Sequence, residues 1–156
     1  MMKRIIALVI VLTASMTCFT AFSESSDKYI ICNPESYVLV RKSPKNTAEA
    51  TGRLDCGDTI QTDGKQKDGF LHILGVTEYG EGWVYQGYIV DDEPMIEKCK
   101  GTVAANGRVA ARKCIDSKQY NWVNMATDLT VFVRSDEWAV TSKGFIKTKY
   151  LEIWYE

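Results

Sequence analysis

The chain has 156 residues, with 19 Lys and Arg against 20 Asp and Glu, for a formal net charge of −1. A balance this even, with its basic residues scattered, lacks the basic stripe of a nucleic-acid-binding module. One histidine and five cysteines also leave little material for a metal centre.

The N-terminal stretch reads as an export signal. Lys3 and Arg4 supply the positive region, Ile5 to Leu12 is an unbroken apolar run, and Ala21-Phe22-Ser23 offers small residues for cleavage after Ser23. The run falls short of the roughly 20 apolar residues that span a bilayer. A retained N-terminal anchor is the alternative. Cys18 as a lipidation site is disfavoured because Met16-Thr17 is a poor match to the small residues expected before it. Removing residues 1–23 takes away two cations and leaves a net charge of −3. Residues 24–97 then carry seven Lys and Arg against fourteen Asp and Glu, while residues 98–156 carry ten against six. The halves stand at −7 and +4. Opposite fields can steer the halves together or draw the basic half to an anionic polymer, and ordinary solvated faces also account for them.

Short apolar runs follow, punctuated by Gly, Asp and Lys. The first half predicts strands at Tyr29–Cys32, Tyr37–Arg41, Thr59–Thr62, Phe70–Leu74, Trp83–Tyr85 and Tyr88–Val90. A polar loop spans Lys42 to Ala50, Asp63-Gly64 reads as a turn, and Tyr79-Gly80-Glu81-Gly82 is a Gly-rich loop. Asp91-Asp92-Glu93-Pro94 is charged and ends in proline, which marks a linker. The second half predicts strands at Thr102–Ala104, Val109–Arg112, Asp128–Val133, Trp138–Thr141, Phe145-Ile146 and Tyr150–Trp154. The expectation is an all-β chain in which a 24–93 module and a 99–156 module flank a 94–98 linker. Each module should be a small half-open barrel of five to seven strands.

The two halves repeat one another. Val40-Arg41-Lys42-Ser43 is answered by Ala111-Arg112-Lys113-Cys114, and Thr59-Ile60-Gln61-Thr62 by Thr130-Val131-Phe132-Val133. Asp68-Gly69-Phe70-Leu71 matches Asp136-Glu137-Trp138-Ala139, Gly82-Trp83-Val84 matches Gly144-Phe145-Ile146, and Tyr88-Ile89 matches Tyr150-Leu151. The offset drifts from 71 to 68 to 62, so loop lengths change while strand order holds.

Four cysteines remain after cleavage: Cys32, Cys56, Cys99 and Cys114. An even number in an exported chain points to disulfides. Asn106-Gly107 is a strong two-residue hairpin turn, and folding about it sets Cys99 opposite Cys114. That register leaves Cys32 with Cys56. Zinc is the competing reading, weakened by the lack of CxxC spacing and by the single histidine.

This order of motifs resembles the bacterial SH3 family: Val40-Arg41, then Leu54 to Ile60, Gly69 to Ile73, Gly82-Trp83-Val84 and Tyr88-Ile89. The second copy reads Ala111-Arg112, Leu129-Thr130-Val131, Glu137 to Val140, Gly144-Phe145-Ile146 and Tyr150-Leu151. Departures include Phe70 in place of the usual Trp, Asp128 at the Gly57 position and Cys114 at the Ser43 position. The resemblance implies two tandem SH3-like barrels in a secreted or cell-surface protein that binds rather than catalyses. The implied partner is cell-wall peptidoglycan or its peptides. The alternative is an interaction or spacer module whose barrels pack on each other or on an exported protein.

Tyr37, Tyr79, Tyr85, Tyr120 and Trp122 are the candidate ligand-binding aromatics, because rigid rings give contact area with few rotors to freeze. Trp83, Trp138, Phe70 and Phe145 fall in the repeated strand motifs and read as core or strand residues. No catalytic residue is expected. A cysteine or serine nucleophile would need a histidine, and His72 sits mid-strand between inward Leu71 and Ile73, facing outward. No phosphate-cradling Gly-rich loop opens a helix, so neither cofactor nor metal is expected.

Overall fold

Alternation governs the strands. In Tyr37–Arg41, Val38 and Val40 are buried while Tyr37 is exposed, and in Asp128–Arg134 Leu129 and Val131 are buried on the core side before a bulge turns the buried Val133 to the other face. A period of two is what a strand with one face on a core requires. The computed structural model describes residues 27–75 and 80–155, so the expected export signal, Cys18 and Tyr79 lie outside the described residues.

The first seven strands are Lys28–Ile30 (β1), Tyr37–Arg41 (β2), Ala50–Asp55 (β3), Thr59–Lys67 (β4), Phe70–Leu74 (β5), Gly82–Tyr85 (β6) and Ile89–Val90 (β7). The second seven are Cys99–Val103 (β8), Arg108–Arg112 (β9), Tyr120–Asn124 (β10), Asp128–Arg134 (β11), Trp138–Thr141 (β12), Gly144–Lys147 (β13) and Leu151–Trp154 (β14). One 3-10 turn precedes the last strand of each set, Gln86–Tyr88 and Thr148–Tyr150. The first sheet runs β3-β2-β6-β5-β4-β1-β7 and the second runs β10-β9-β13-β12-β11-β8-β14. Strand for strand, the orders are the same. The all-β expectation of two small SH3-like barrels holds, with seven strands in each.

Each sheet curls around its own core. Ile30, Val38, Val40, Leu54, Ile60, Ile73 and Val84 come from six different strands and meet in one cluster, with Ile89 of β7 packed against it. Val103, Val109, Ala111, Val123, Leu129, Val131, Ala139 and Ile146 do the same in the second sheet, with Leu151 and Ile153 of β14. Inward residues from all seven strands can meet only if the sheet rolls up.

Several local expectations are corrected. The β4–β5 hairpin turns at Asp68-Gly69, where φ is 53° and 79°, the two positive values that a type I′ turn needs. Asp63-Gly64 instead lies within β4, where the register shifts between Thr62 and Gln66. The turn before β4 fixes the true repeat register. Gly57 N–H donates to Ile30 O at 2.8 Å, and Ala126 N–H donates to Val103 O at 2.9 Å. Ala126, at φ 59°, therefore occupies the Gly57 position rather than Asp128, and Ile60 matches Leu129 rather than Val131.

The Asn106-Gly107 hairpin does not form. β8 pairs with β11 and β14, while β9 pairs with β10 and β13, so no ladder sets Cys99 opposite Cys114. All four cysteines are free thiols in the structure. Cys99 belongs to the second barrel's core cluster, while Cys114 lies in the loop after β9, with its sulfur against Gly87. Cys32 and Cys56 are side by side, the Cys32 N–H pointing at Cys56 Sγ at 3.5 Å.

A third apolar cluster joins the barrels. Ile31, Val90 and parts of Tyr29, Cys56 and Tyr88 pack against Val133, Trp138, Val140 and Phe145. The second barrel contributes the outer face of β11 to β13, while the first contributes the end where β1 and β7 meet. Ile115 N–H donates to Gly87 O at 2.9 Å and Asp136 N–H to the Asp92 carboxylate at 2.6 Å across the same seam. The expected linker is not slack: Met95 and Arg134 exchange backbone hydrogen bonds at 2.8 and 3.0 Å.

Candidate functional site: a groove made twice

The arginine of the repeated motif shapes the site. Arg41 Nη1 donates to Ala48 O at 2.7 Å, and Arg112 Nη1 donates to Ser117 O at 2.5 Å. Each guanidinium thus holds the loop that follows its own strand, and Asn46 and Ser117 of these two loops both line the first groove. A charge-assisted bond to a backbone carbonyl suits this task, because it pins main chain rather than a mobile side chain.

The first groove encloses about 430 Å³ between Tyr37, Leu39, Arg41, Phe70, Tyr85 and Tyr88. Phe70 and Tyr85 are cross-strand partners, in edge contact with centroids 5.4 Å apart, and Tyr85 meets Tyr88 at 6.3 Å. Burial raises the hydroxyl pKa of both Tyr85 and Tyr88, so they stay neutral. Tyr37 stands 56% exposed at the mouth. The second barrel narrows this groove, because its Lys113, Cys114 and Ser117 also line it.

The second groove also encloses about 430 Å³ and is built at the same strand positions. Trp138 pairs with Lys147 as Phe70 pairs with Tyr85, and Phe145 with Arg112 as Trp83 with Arg41. Arg108 takes the place of Tyr37, Lys147 of Tyr85 and Tyr150 of Tyr88. The mouth shows an exchange of partners. In the first barrel Arg53 of β3 lies 5.8 Å from the Tyr37 ring, whereas in the second Arg108 of β9 lies 4.3 Å from the ring of Trp122 on β10. The cation–π contact is retained with its two sides traded.

The candidate aromatics divide between these places. Tyr37 and Tyr85 share the first groove, and Trp122, 50% exposed, lines the second. Tyr120 contacts Trp122 edge-on at 5.0 Å but faces the cleft between the barrels. Tyr79 lies outside the described residues. Phe70, Tyr88, Trp138 and Tyr150 complete the grooves, and the sequence reading did not single them out as site residues. The signal was present in the alternation: with Leu71 and Ala139 inward, Phe70 and Trp138 must face out. Phe70, Trp83, Trp138 and Phe145 are strand residues as expected, yet none belongs to a barrel core cluster.

His72 lies on the outer face but is well covered. Its ring lies 4.9 Å from that of Trp83, and Nδ1 is 3.2 Å from the Asp63 carboxylate. Lys65 beside Asp63 is the main reason that this carboxyl is lowered to about 2. At the paired thiols, the Cys32 hydrogen bond lowers Cys56 to about 7 and leaves Cys32 raised. Burial raises Cys99 and Cys114.

Duplicated, seven-stranded barrels, each with an aromatic groove between its second strand and a later hairpin, define a class of small all-β modules. Residues 36–90, which make up most of the first barrel, match the family model of the bacterial SH3 domain. Similar solved structures include NlpC1 from Trichomonas vaginalis, at 16% identity and TM-score 0.37, covering 94% of this chain and 50% of that one. NlpC2 from the same organism is similar at 12% identity and TM-score 0.37, covering 85% and 49%. The chain spans about half the length of each. A search of the curated proteins finds no match.

Proposed function

We propose that this chain is an exported, non-catalytic binding protein whose grooves recognise cell-wall peptidoglycan or its peptides. The observation that carries this reading is the groove itself, formed twice from equivalent positions and open at aromatic rings that no packing requirement explains. Tyr37 and Trp122 sit at its two mouths, on strands whose inward residues already complete the cores. Exposed rings set into a concavity give affinity at low entropic cost. The bacterial SH3 family supports a wall-related role. His72 supports the non-catalytic part, since its partners are Asp63 and Trp83 and, among the described residues, no cysteine or serine side chain is hydrogen-bonded to it.

The runner-up, a spacer whose barrels pack on each other, draws support from the apolar cluster of Ile31, Val90, Val140 and Phe145. The two readings are compatible, because a rigid pair of barrels presents its grooves at a fixed separation. Retention of residues 24–156 on purified sacculi, with and without teichoic acid, tests the proposal. Wild type should be retained, and Trp122→Ala should weaken retention by about 1–3 kcal/mol without loss of fold. Retention no greater than that of an unrelated protein of similar charge refutes wall binding and leaves the spacer.

A further inference from the structure

We infer that the second groove reads an anionic group, a carboxylate or phosphate oxygen. This rests on the groove reading above and assigns the chemistry of its second copy. Comparison of equivalent positions carries it. Where the first groove sets Tyr37 and Tyr85, the second sets Arg108 and Lys147, and Arg112 keeps the place of Arg41. Among the described residues no carboxylate lines the second groove, although Glu137 reaches Lys147 from outside it at 2.6 Å. Among the described residues, Arg108 and Arg112 form no ion pair.

Aromatic faces, not acids, hold the two arginines, while Lys147 has both a ring and Glu137 beside it. Arg108 lies 4.3 Å from the Trp122 ring centre, Lys147 lies 5.3 Å from that of Trp138, and Arg112 lies 5.8 Å from that of Tyr120. A guanidinium held against a ring keeps its charge, and its N–H edge stays available for two oxygens of a planar anion. A carboxylate partner would have neutralised that charge. Rings of Trp122, Trp138 and Tyr150 beside the cations supply a floor for the uncharged remainder of the ligand. In the first groove the swapped pair has the opposite result: Tyr37 lines the cavity while Arg53 stays outside it. Duplication therefore set two further cations, Arg108 and Lys147, in the second cradle where the first holds tyrosines beside Arg41 and Lys113.

The test uses the intact exported form. Poly-L-glutamate and inorganic polyphosphate are titrated against wild type, Arg108→Gln and Lys147→Gln, with uncharged dextran as the blank. Lys100→Gln and Lys118→Gln, outside the groove, are charge-matched controls. Wild type should bind at least one anionic probe, weaken as salt is raised, and lose about tenfold with Arg108→Gln. The controls should stay within twofold. Circular dichroism checks the fold of each variant. Sacculi with amidated carboxylates and sacculi stripped of phosphate by hydrofluoric acid identify the source: the treatment that removes Arg108-dependent retention names the group. No retention on any sacculi overturns wall binding and leaves the anion inference to the two probes. If wild type binds neither probe, or if Arg108→Gln and Lys147→Gln match wild type or the controls, the inference is overturned, whatever the sacculi show.

Discussion

At the residue scale, the four thiols that the sequence treats alike have different fates. Cys32 and Cys56 are neighbours across 24 residues of chain, whereas Cys99 and Cys114 lie on strands and loops that never meet. Oxidation of the folded protein should therefore give a single Cys32–Cys56 bond and leave Cys99 and Cys114 as thiols, which non-reducing peptide mapping will show. Closing a loop of this size would contribute about 3 kcal/mol. In the reduced protein Cys56 should alkylate first. Its thiol is lowered to about 7 by the Cys32 hydrogen bond, so its thiolate, and with it the rate, rises as pH passes through 7 instead of 9. Cys99 and Cys114, raised by burial, should react only at higher pH. Equal rates at all four cysteines would contradict the pairing.

At the scale of elements, the turn before β4 and its twin before β11 are one backbone path with different residues. Gly57 takes φ of 90° at no steric cost, while Ala126 is held at 59°, where a Cβ crowds the following carbonyl. Ala126→Gly should stabilise the second barrel by about 1 kcal/mol, read as a shift of the denaturant midpoint with an unchanged m-value. The same elements show what the sequence could and could not disclose. β2 and β11 were legible because buried and less buried residues alternate along their length, and β5 and β12 because they are short, mostly apolar runs. β3 and β10 escaped because each buries a single side chain, Leu54 or Val123, and one inward residue makes no period. The Asn106-Gly107 hairpin failed for another reason: turn chemistry is local, whereas β8 is claimed by β11 and β14 from much further along the chain. The groove's outer members were legible in principle, since a strand that buries Leu71 must turn out Phe70. What alternation cannot tell is whether an outward ring meets solvent, a ligand or another barrel.

For the whole molecule, the seam between the barrels makes the pair one folding unit. Ile31 is fully buried in that seam and belongs to neither barrel's core cluster, while its counterpart Ala104 is exposed. The intact protein should therefore unfold calorimetrically in one transition. Ile31→Asp should split it in two while leaving each barrel folded. The cost should exceed the 2–5 kcal/mol typical of Ile→Ala, because a carboxylate would be stranded among Trp138, Val140 and Phe145. A single, merely lowered transition would show that the barrels do not depend on this contact.

The seam is also head-to-tail, since the end of one barrel rests on the flank of a near-copy of itself. Contacts of that kind run on into fibres unless something stops them. Here both free surfaces are stopped. Where the second barrel offers Val133 and Val140, the matching flank of the first carries Lys65 and His72, the latter already capped by Trp83. Where the first barrel's end offers Ile31 and Val90, the second has Ala104 and Glu152, both exposed. The duplicated sequence has thus diverged into a plug without a second socket and a socket without a second plug, and this seam does not repeat itself.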